Sequence, residues 1–350
     1  MRFNLNEKET KKFVSLFNQH EQNIDYMLYL SETIWQNNNL NATLFENKNA
    51  FEKRMLFADE LLKNKPIDSE FVKKSLRWDT NLISIDEYND NPYLKALNSV
   101  TFSFHNWRLE SKTLKAYSLF PHDEEYHMGG NALVKMNLGF FDQDYVYPTL
   151  TLYDNEWMSL NPFEIKTMEI PFQIARGKVL TLGLGLGYFA YMTHLKEEVK
   201  EVHIVEMDID LIKAFTEYLL PLFPHPEKIH IHKADAFYFV ENLKDCDYDY
   251  IFSDLWHNVD DGLVSYLKLR KRFNAFKYTR CTYWIEGSII TYLRTLVIGV
   301  MKDEYYQTTH EYDDIQLMIK ERLKDFVLSN SDDLDSLLSI RSLQTLFLKL

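Results

Sequence analysis

Three of the chain's ten glycines, Gly183, Gly185 and Gly187, stand at alternate positions in the run Val179-Leu180-Thr181-Leu182-Gly183-Leu184-Gly185-Leu186-Gly187-Tyr188. The apolar stretch 179–182 reads as a strand buried on both faces, as in a parallel sheet. Glycines directly after such a strand let the backbone turn sharply into a helix. They also let a ligand come close where a Cβ would collide. The helix expected over about 189–195 aims its first N–H groups at that ligand. This pattern constrains the chain to a strand, loop and helix unit that cradles a nucleotide-type ligand.

The alternation of strand and helix continues. Residues 202–208 form a second apolar run ending in acids, and Glu206 follows the loop at the roughly 20-residue distance at which a carboxylate at a strand tip meets a ribose. Residues 209–220 read as a helix, stopped near Pro221 and Pro224. Further strands are expected at 228–233, closed by Ala234-Asp235-Ala236, at 248–254, ending in Asp254, and at 282–285, ending at Glu286. In an open parallel sheet, ligands bind outside the carboxyl ends of the strands. The glycine loop, Glu206, Asp235, Asp254 and Glu286 are therefore expected to gather at one edge.

Two families share this spacing. Gly185-Leu186-Gly187-Tyr188-Phe189-Ala190 satisfies the dinucleotide fingerprint, which keeps a nicotinamide-dependent oxidoreductase open. The downstream order, Val-Glu-x-Asp, then Ala-Asp-Ala, then Tyr-Asp-x-Ile-x-x-Asp, resembles the class I S-adenosylmethionine-dependent methyltransferase superfamily. More narrowly, it resembles the branch containing spermidine synthases. The resemblance covers residues 157–290, a little over a third of the chain. It implies an α/β Rossmann-like class I methyltransferase sheet and S-adenosyl-L-methionine as cofactor. Gly183, Gly185 and Gly187 would pass along the cofactor tail and ribose, and Glu206 would hold the ribose hydroxyls. Asp235 and Ala236 would meet the adenine, and Asp254 would face the sulfonium and the substrate. Asp254, His257 and Glu286 are the catalytic candidates.

The chain departs from the family pattern at three places. Thr181 replaces the acid that many methyltransferases carry before the first glycine, which fits the spermidine-synthase branch. Leu186 and His257 stand where that branch has further acids. The functional expectation is methyl transfer to a small-molecule acceptor that includes an amine. The alternatives are aminopropyl transfer from decarboxylated S-adenosylmethionine and a non-catalytic cofactor-binding protein.

Charge and composition set further bounds. A net charge of −13 argues against nucleic acid as the partner. The most apolar stretch, 289–301, is short for a bilayer span and contains Arg294. No leader is evident at the start, so a cytoplasmic protein is expected. Cys246 and Cys281 form no metal or disulfide pattern. The aromatic share of 15% implies a large core and permits a homodimer.

The chain divides into a mostly helical region 1–130, a small β unit 131–160, and a Rossmann-like cofactor domain 161–350 with extra C-terminal helices. Helices are expected at 7–19, 20–35, 48–62 and 69–76, strands at 134–141 and 145–153, and final helices at 287–300, 313–326 and 332–349. Residues 84–130 carry no clear pattern. Pro121 and Gly129-Gly130 mark the His122–His127 segment as a loop, and no metal is assigned there. Asp208 and the pair Asp260-Asp261 read as helix caps. His230 and His232 share one strand face and read as partly buried structural histidines.

Overall fold

A computed structural model describes residues 2–35, 40–98, 100–125, 135–308, 311–324, 327–328 and 331–347. The chain opens with β1 (Arg2–Phe3), α1 (Glu7–Trp35), α2 (Ala50–Asn64), α3 (Glu70–Asp79) and β2 (Thr80–Leu82). Two short helices, α4 (Asp86–Asn89) and α5 (Pro92–Ala96), precede the strands β3 (Phe102–Phe104), β4 (Trp107–Leu114), β5 (Phe120–Glu125), β6 (Lys135–Phe140), β7 (Tyr145–Leu152) and β8 (Asn155–Ser159). The cofactor half follows as α6 (Pro162–Thr167), α7 (Glu169–Ile174), β9 (Gly177–Leu182), α8 (Tyr188–His194), β10 (Val199–Glu206), α9 (Ile209–Ala214), β11 (Ile229–Lys233), α10 (Ala236–Glu241), β12 (Tyr250–Ser253), α11 (Val259–Phe273) and β13 (Arg280–Tyr283). The chain closes with α12 (Glu286–Tyr306), α13 (Asp314–Leu323), β14 (Val327–Leu328), α14 (Ser331–Leu337) and α15 (Ile340–Phe347).

The five expected strands of the cofactor half form one sheet in the order β11-β10-β9-β12-β13, and every pairing in it is parallel. The glycine turn leaves the central strand, β9, whose last four residues are fully buried. The first strand of this sheet is central and the chain winds outward from it on both sides, which is a Rossmann-like α/β arrangement. Among the described residues no antiparallel strand pair extends this sheet beyond β13. β3-β4-β7-β8 make an antiparallel sheet, and β2-β6-β5 a mixed one. The main core surrounds the parallel sheet. A second core lies under α1–α3, where Phe57 stacks on Phe140 at 4.0 Å and Phe45 on Tyr117 at 3.9 Å.

Several boundaries differ from expectation. The helices at 7–19 and 20–35 are one 29-residue helix, since neither Gly nor Pro interrupts it. The loop expected around Pro121 is the strand β5. Proline lacks an N–H for the ladder, and the pairing with β6 shifts register between Pro121 and Asp123. His127 lies outside the described residues. The helix expected over 209–220 ends at Ala214 and continues as a π-turn, Phe215–Leu219, and a short 3₁₀ turn containing Pro221. The helix expected over 332–349 is split into α14 and α15. The buried Arg294 donates to the Leu338 carbonyl between them at 2.7 Å. Among the described residues, no helix is long and apolar enough to cross a membrane.

Candidate active site

The site is built on the turn after β9. Gly183 has φ +100°, and a Cβ there would stand 2.0 Å from the Asp254 carbonyl oxygen. The turn therefore lies directly on the tip of β12. Gly185 has φ +50°, and its missing Cβ leaves room for the Met158 sulfur, which would be 2.2 Å away. Met158 reaches in from β8, and its thioether accepts from the Leu186 N–H at 3.2 Å. Gly187 caps α8 with left-handed backbone.

The N-terminal region braces this turn. Tyr93, at the start of α5, donates its hydroxyl to the Leu186 carbonyl. Asn91 donates to the Tyr188 hydroxyl at 2.9 Å. Tyr188 is thereby fixed as a buried wall.

Glu206 stands at the tip of β10 and accepts from the N–H groups of Met207 at 2.7 Å and Asp208 at 2.8 Å. Burial raises its pKa, against hydrogen bonds from Asp208, Met207 and Leu184 of the glycine turn. The carboxylate thus ties the first two strand tips together. Asp208 is the cap of α9, accepting from Asp210 and Leu211. Asp235 is exposed and caps α10 by accepting from the Tyr238 N–H at 2.9 Å, and Ala236 beside it is buried.

Asp254 lines the cavity under the turn, together with Met158, Met168, Thr181, Tyr188 and Ala190. Burial pushes its carboxyl up to about 7. Glu164, in the first turn of α6, lies close enough to feel the Asp254 charge. Burial and that charge hold its carboxyl well above the usual range. Both are only partly exposed, and among the described residues neither has an ion-pair partner. The negative charge of Asp254 opposes ionisation of Glu164. The cavity beneath them is about 10 Å³, room for a single water.

The other two catalytic candidates lie in different surroundings. His257 is exposed, bonds through Nδ1 to Asp261 at 2.9 Å, and meets Trp157 edge-on. Asp261 forms a capping box with Asn258 at the start of α11. Glu286 is half-buried and accepts from Tyr266 at 2.7 Å and Gln344 at 3.2 Å, which ties α12 to α11 and α15. Burial raises its pKa. Ile285 before it is held at φ +46°, a backbone state that a β-branched residue rarely adopts. Nearby, Glu124 of β5 accepts from the Ser288 N–H at 3.3 Å, and burial pushes it up to about 7.

Met158 and Glu164 lie in the segment 157–165, which stands where the resembled branch has its substrate-gating segment but lacks its polar residues, and Tyr93 and Asn91 carry no signal in the sequence. Glu164 stands in the first turn of α6, where its backbone N–H donates to Asn161, and its carboxyl feels the Asp254 charge.

The residues suit a nucleoside sulfonium ligand in three respects. The turn at Gly185 has no room for a Cβ beside the Met158 sulfur, and Glu206 and Asp254 each present a partly buried carboxyl next to it, one where a ribose would lie and one where a reacting sulfonium would lie if such a ligand bound. A ligand of that size requires the Met158 side chain to swing out, a motion its unbranched thioether readily makes.

No family model matches the chain, and no curated protein matches it. Among solved structures it is similar to spermidine synthase from Thermotoga maritima, with 15% identity over 43% of this chain and 58% of that one, and a TM-score of 0.33. It is similar to a spermidine synthase in complex with the transition state analogue AdoDATO, with 15% identity over 43% and 60%, TM-score 0.33. A probable spermidine synthase from Corynebacterium glutamicum shows 13% identity over 49% and 59%, TM-score 0.30. The chain spans less than two thirds of each of these proteins.

Proposed function

We propose that the chain is a transferase that moves an aminopropyl group from decarboxylated S-adenosylmethionine to a small cationic amine. The observation that carries this reading is Asp254, a carboxyl that lines the cavity under the glycine turn with no lysine or arginine beside it and whose charge reaches Glu164 of α6. A cationic substrate supplies the missing counter-charge. The motif resemblance to the spermidine-synthase branch supports the same reaction class.

Electrostatics also separates the two donors. S-adenosylmethionine carries a carboxylate on its tail, and the decarboxylated form carries only an ammonium. No lysine or arginine lines the cavity, whereas Asp254 does. A carboxylate tail meets a like charge there, and an ammonium tail meets an opposite one. This favours aminopropyl transfer over methyl transfer, which would use the same turn and the same Glu206.

The residues divide the work. The glycine turn and Glu206 hold the nucleoside, which supplies an alkyl carbon activated by its positively charged sulfur. Glu164 holds the cationic amine in line. Asp254, poised near neutrality, takes a proton from the attacking nitrogen of the amine, whose freed lone pair forms the new N–C bond as the C–S bond breaks to a neutral thioether. Met158 and Tyr188 exclude water.

The test is incubation of the purified chain with decarboxylated S-adenosylmethionine and aliphatic diamines, with methylthioadenosine release as the readout. Release that depends on the amine supports the reading. Release of S-adenosylhomocysteine from S-adenosylmethionine with the same amines, and no methylthioadenosine, overturns it in favour of methyl transfer.

A further inference from the structure

Away from the cavity, four side chains converge on one face of the parallel sheet. Glu201 and His203 are two residues apart on β10, and His230 and His232 two apart on β11, so each pair shares a face. The parallel register sets His203 beside His230, with ring centroids 4.7 Å apart. Oε2 of Glu201 lies 2.8 Å from Nε2 of His203, and Nδ1 of His203 lies 2.7 Å from Nε2 of His232. One ligand atom each from Glu201, His203 and His230 can be drawn so that all lie within 4.8 Å of one another. His230 is exposed, Glu201 half-buried and His203 buried, so the group is open on one side and anchored on the other.

We propose that Glu201, His203 and His230 bind a divalent transition-metal ion of the Zn(II) class, clasping the edge strand β11 to β10. Two imidazoles and a carboxylate are a donor set that Zn(II) takes, with water in a fourth position. Mg(II) and Ca(II) require oxygen ligands throughout. The ion replaces the proton shared between Glu201 and Nε2 of His203. Nδ1–H of His203 then donates to His232, the outer hydrogen bond that fixes a ligating imidazole. His232 is itself held against Phe239 of α10, at 5.2 Å between ring centroids. The competing cation is Lys178, whose Nζ lies 3.9 Å from Glu201 and 5.0 Å from the centre of the Tyr248 ring. The histidines that read as structural in the sequence thus acquire a ligand set through two residues of the neighbouring strand.

The experiment titrates the full chain, stripped with chelator, with Zn(II) by calorimetry and with Co(II) by visible absorption. One equivalent of each should bind, with the intense Co(II) bands of low coordination number. His232→Gln should weaken binding by roughly 10–100-fold, and His230→Gln and Glu201→Gln by more than that. Zn(II) should raise the melting temperature of the parent chain and leave that of His230→Gln unmoved. Both positions are solvent-facing, so the variants should fold. No stoichiometric binding in the parent, or binding equally tight in Glu201→Gln and His230→Gln, overturns the proposal.

Discussion

Replacing Asp254 by Asn removes a charge that the fold holds at a cost. The carboxyl ionises at about 7 rather than 3.8, because burial disfavours its charged form. Each pH unit is worth ~1.36 kcal/mol, so ionised Asp254 destabilises the fold by roughly 4 kcal/mol above neutrality. The sign follows from proton binding. Between pH 3.8 and 7 the folded state holds a proton that the unfolded state has lost, so this contribution to stability falls as pH rises through that window and is fully lost above it. Asn has nearly the same shape and no charge. Asp254→Asn should therefore match the parent near pH 4 and exceed it at pH 8, by up to the same ~4 kcal/mol. The assay is urea unfolding of both chains at several pH values. Transfer activity should fall at the same time, since a destabilised acid retained at a strand tip is the mark of a functional site. A variant less stable than the parent at pH 8, or a stability difference that does not change with pH, refutes the reasoning.

Other substitutions test separate parts of the site. Glu164→Gln should raise KM for the amine about tenfold or more while the nucleoside affinity changes little, as read by steady-state kinetics and calorimetry. This step rests on a lost charge-assisted contact of ~1.5–3 kcal/mol. Gly183→Ala drives a Cβ onto the Asp254 carbonyl and should cost several kcal/mol or prevent folding, as read by circular dichroism and expression. Glu286→Gln keeps the hydrogen-bonding shape toward Tyr266 and Gln344. It should leave turnover within a few fold, whereas Glu286→Ala should lower the melting temperature by loosening α15.

The cofactor half was legible because its signals are local. A continuous apolar run, a glycine turn and an acid at the next strand tip are each written within a few residues, and all five strands stand where their patterns placed them. The chemistry of the acids was less legible, because burial and partners come from elsewhere. Asp254 and Glu286 look alike in sequence, at the ends of consecutive strands. One faces a cavity unpaired, and the other is tied to Tyr266 and to Gln344 from the last helix. The Asp254 charge that Glu164 feels comes from a strand end far downstream, which no local pattern announces. Met158 lies in a hairpin strand, and its place over Gly185 depends on how two sheets meet. Residues 84–125 read as irregular because their strands are short and their partners lie downstream, as with β4 on β7. The π-turn at 215–219 was hidden inside an ordinary helical period, yet it sets Phe215 under Gly187.

On the proposed function, Asp254 at the tip of β12 and Glu164 in the first turn of α6 together select a cationic donor tail and a cationic acceptor. The most direct measurement compares kcat/KM for decarboxylated S-adenosylmethionine and S-adenosylmethionine, each with the same diamine, in the parent chain and in Glu164→Gln. The expected result is a clear preference for the decarboxylated donor in the parent and a loss of amine saturation in the variant. Equal use of both donors, or a preference for S-adenosylmethionine, contradicts it.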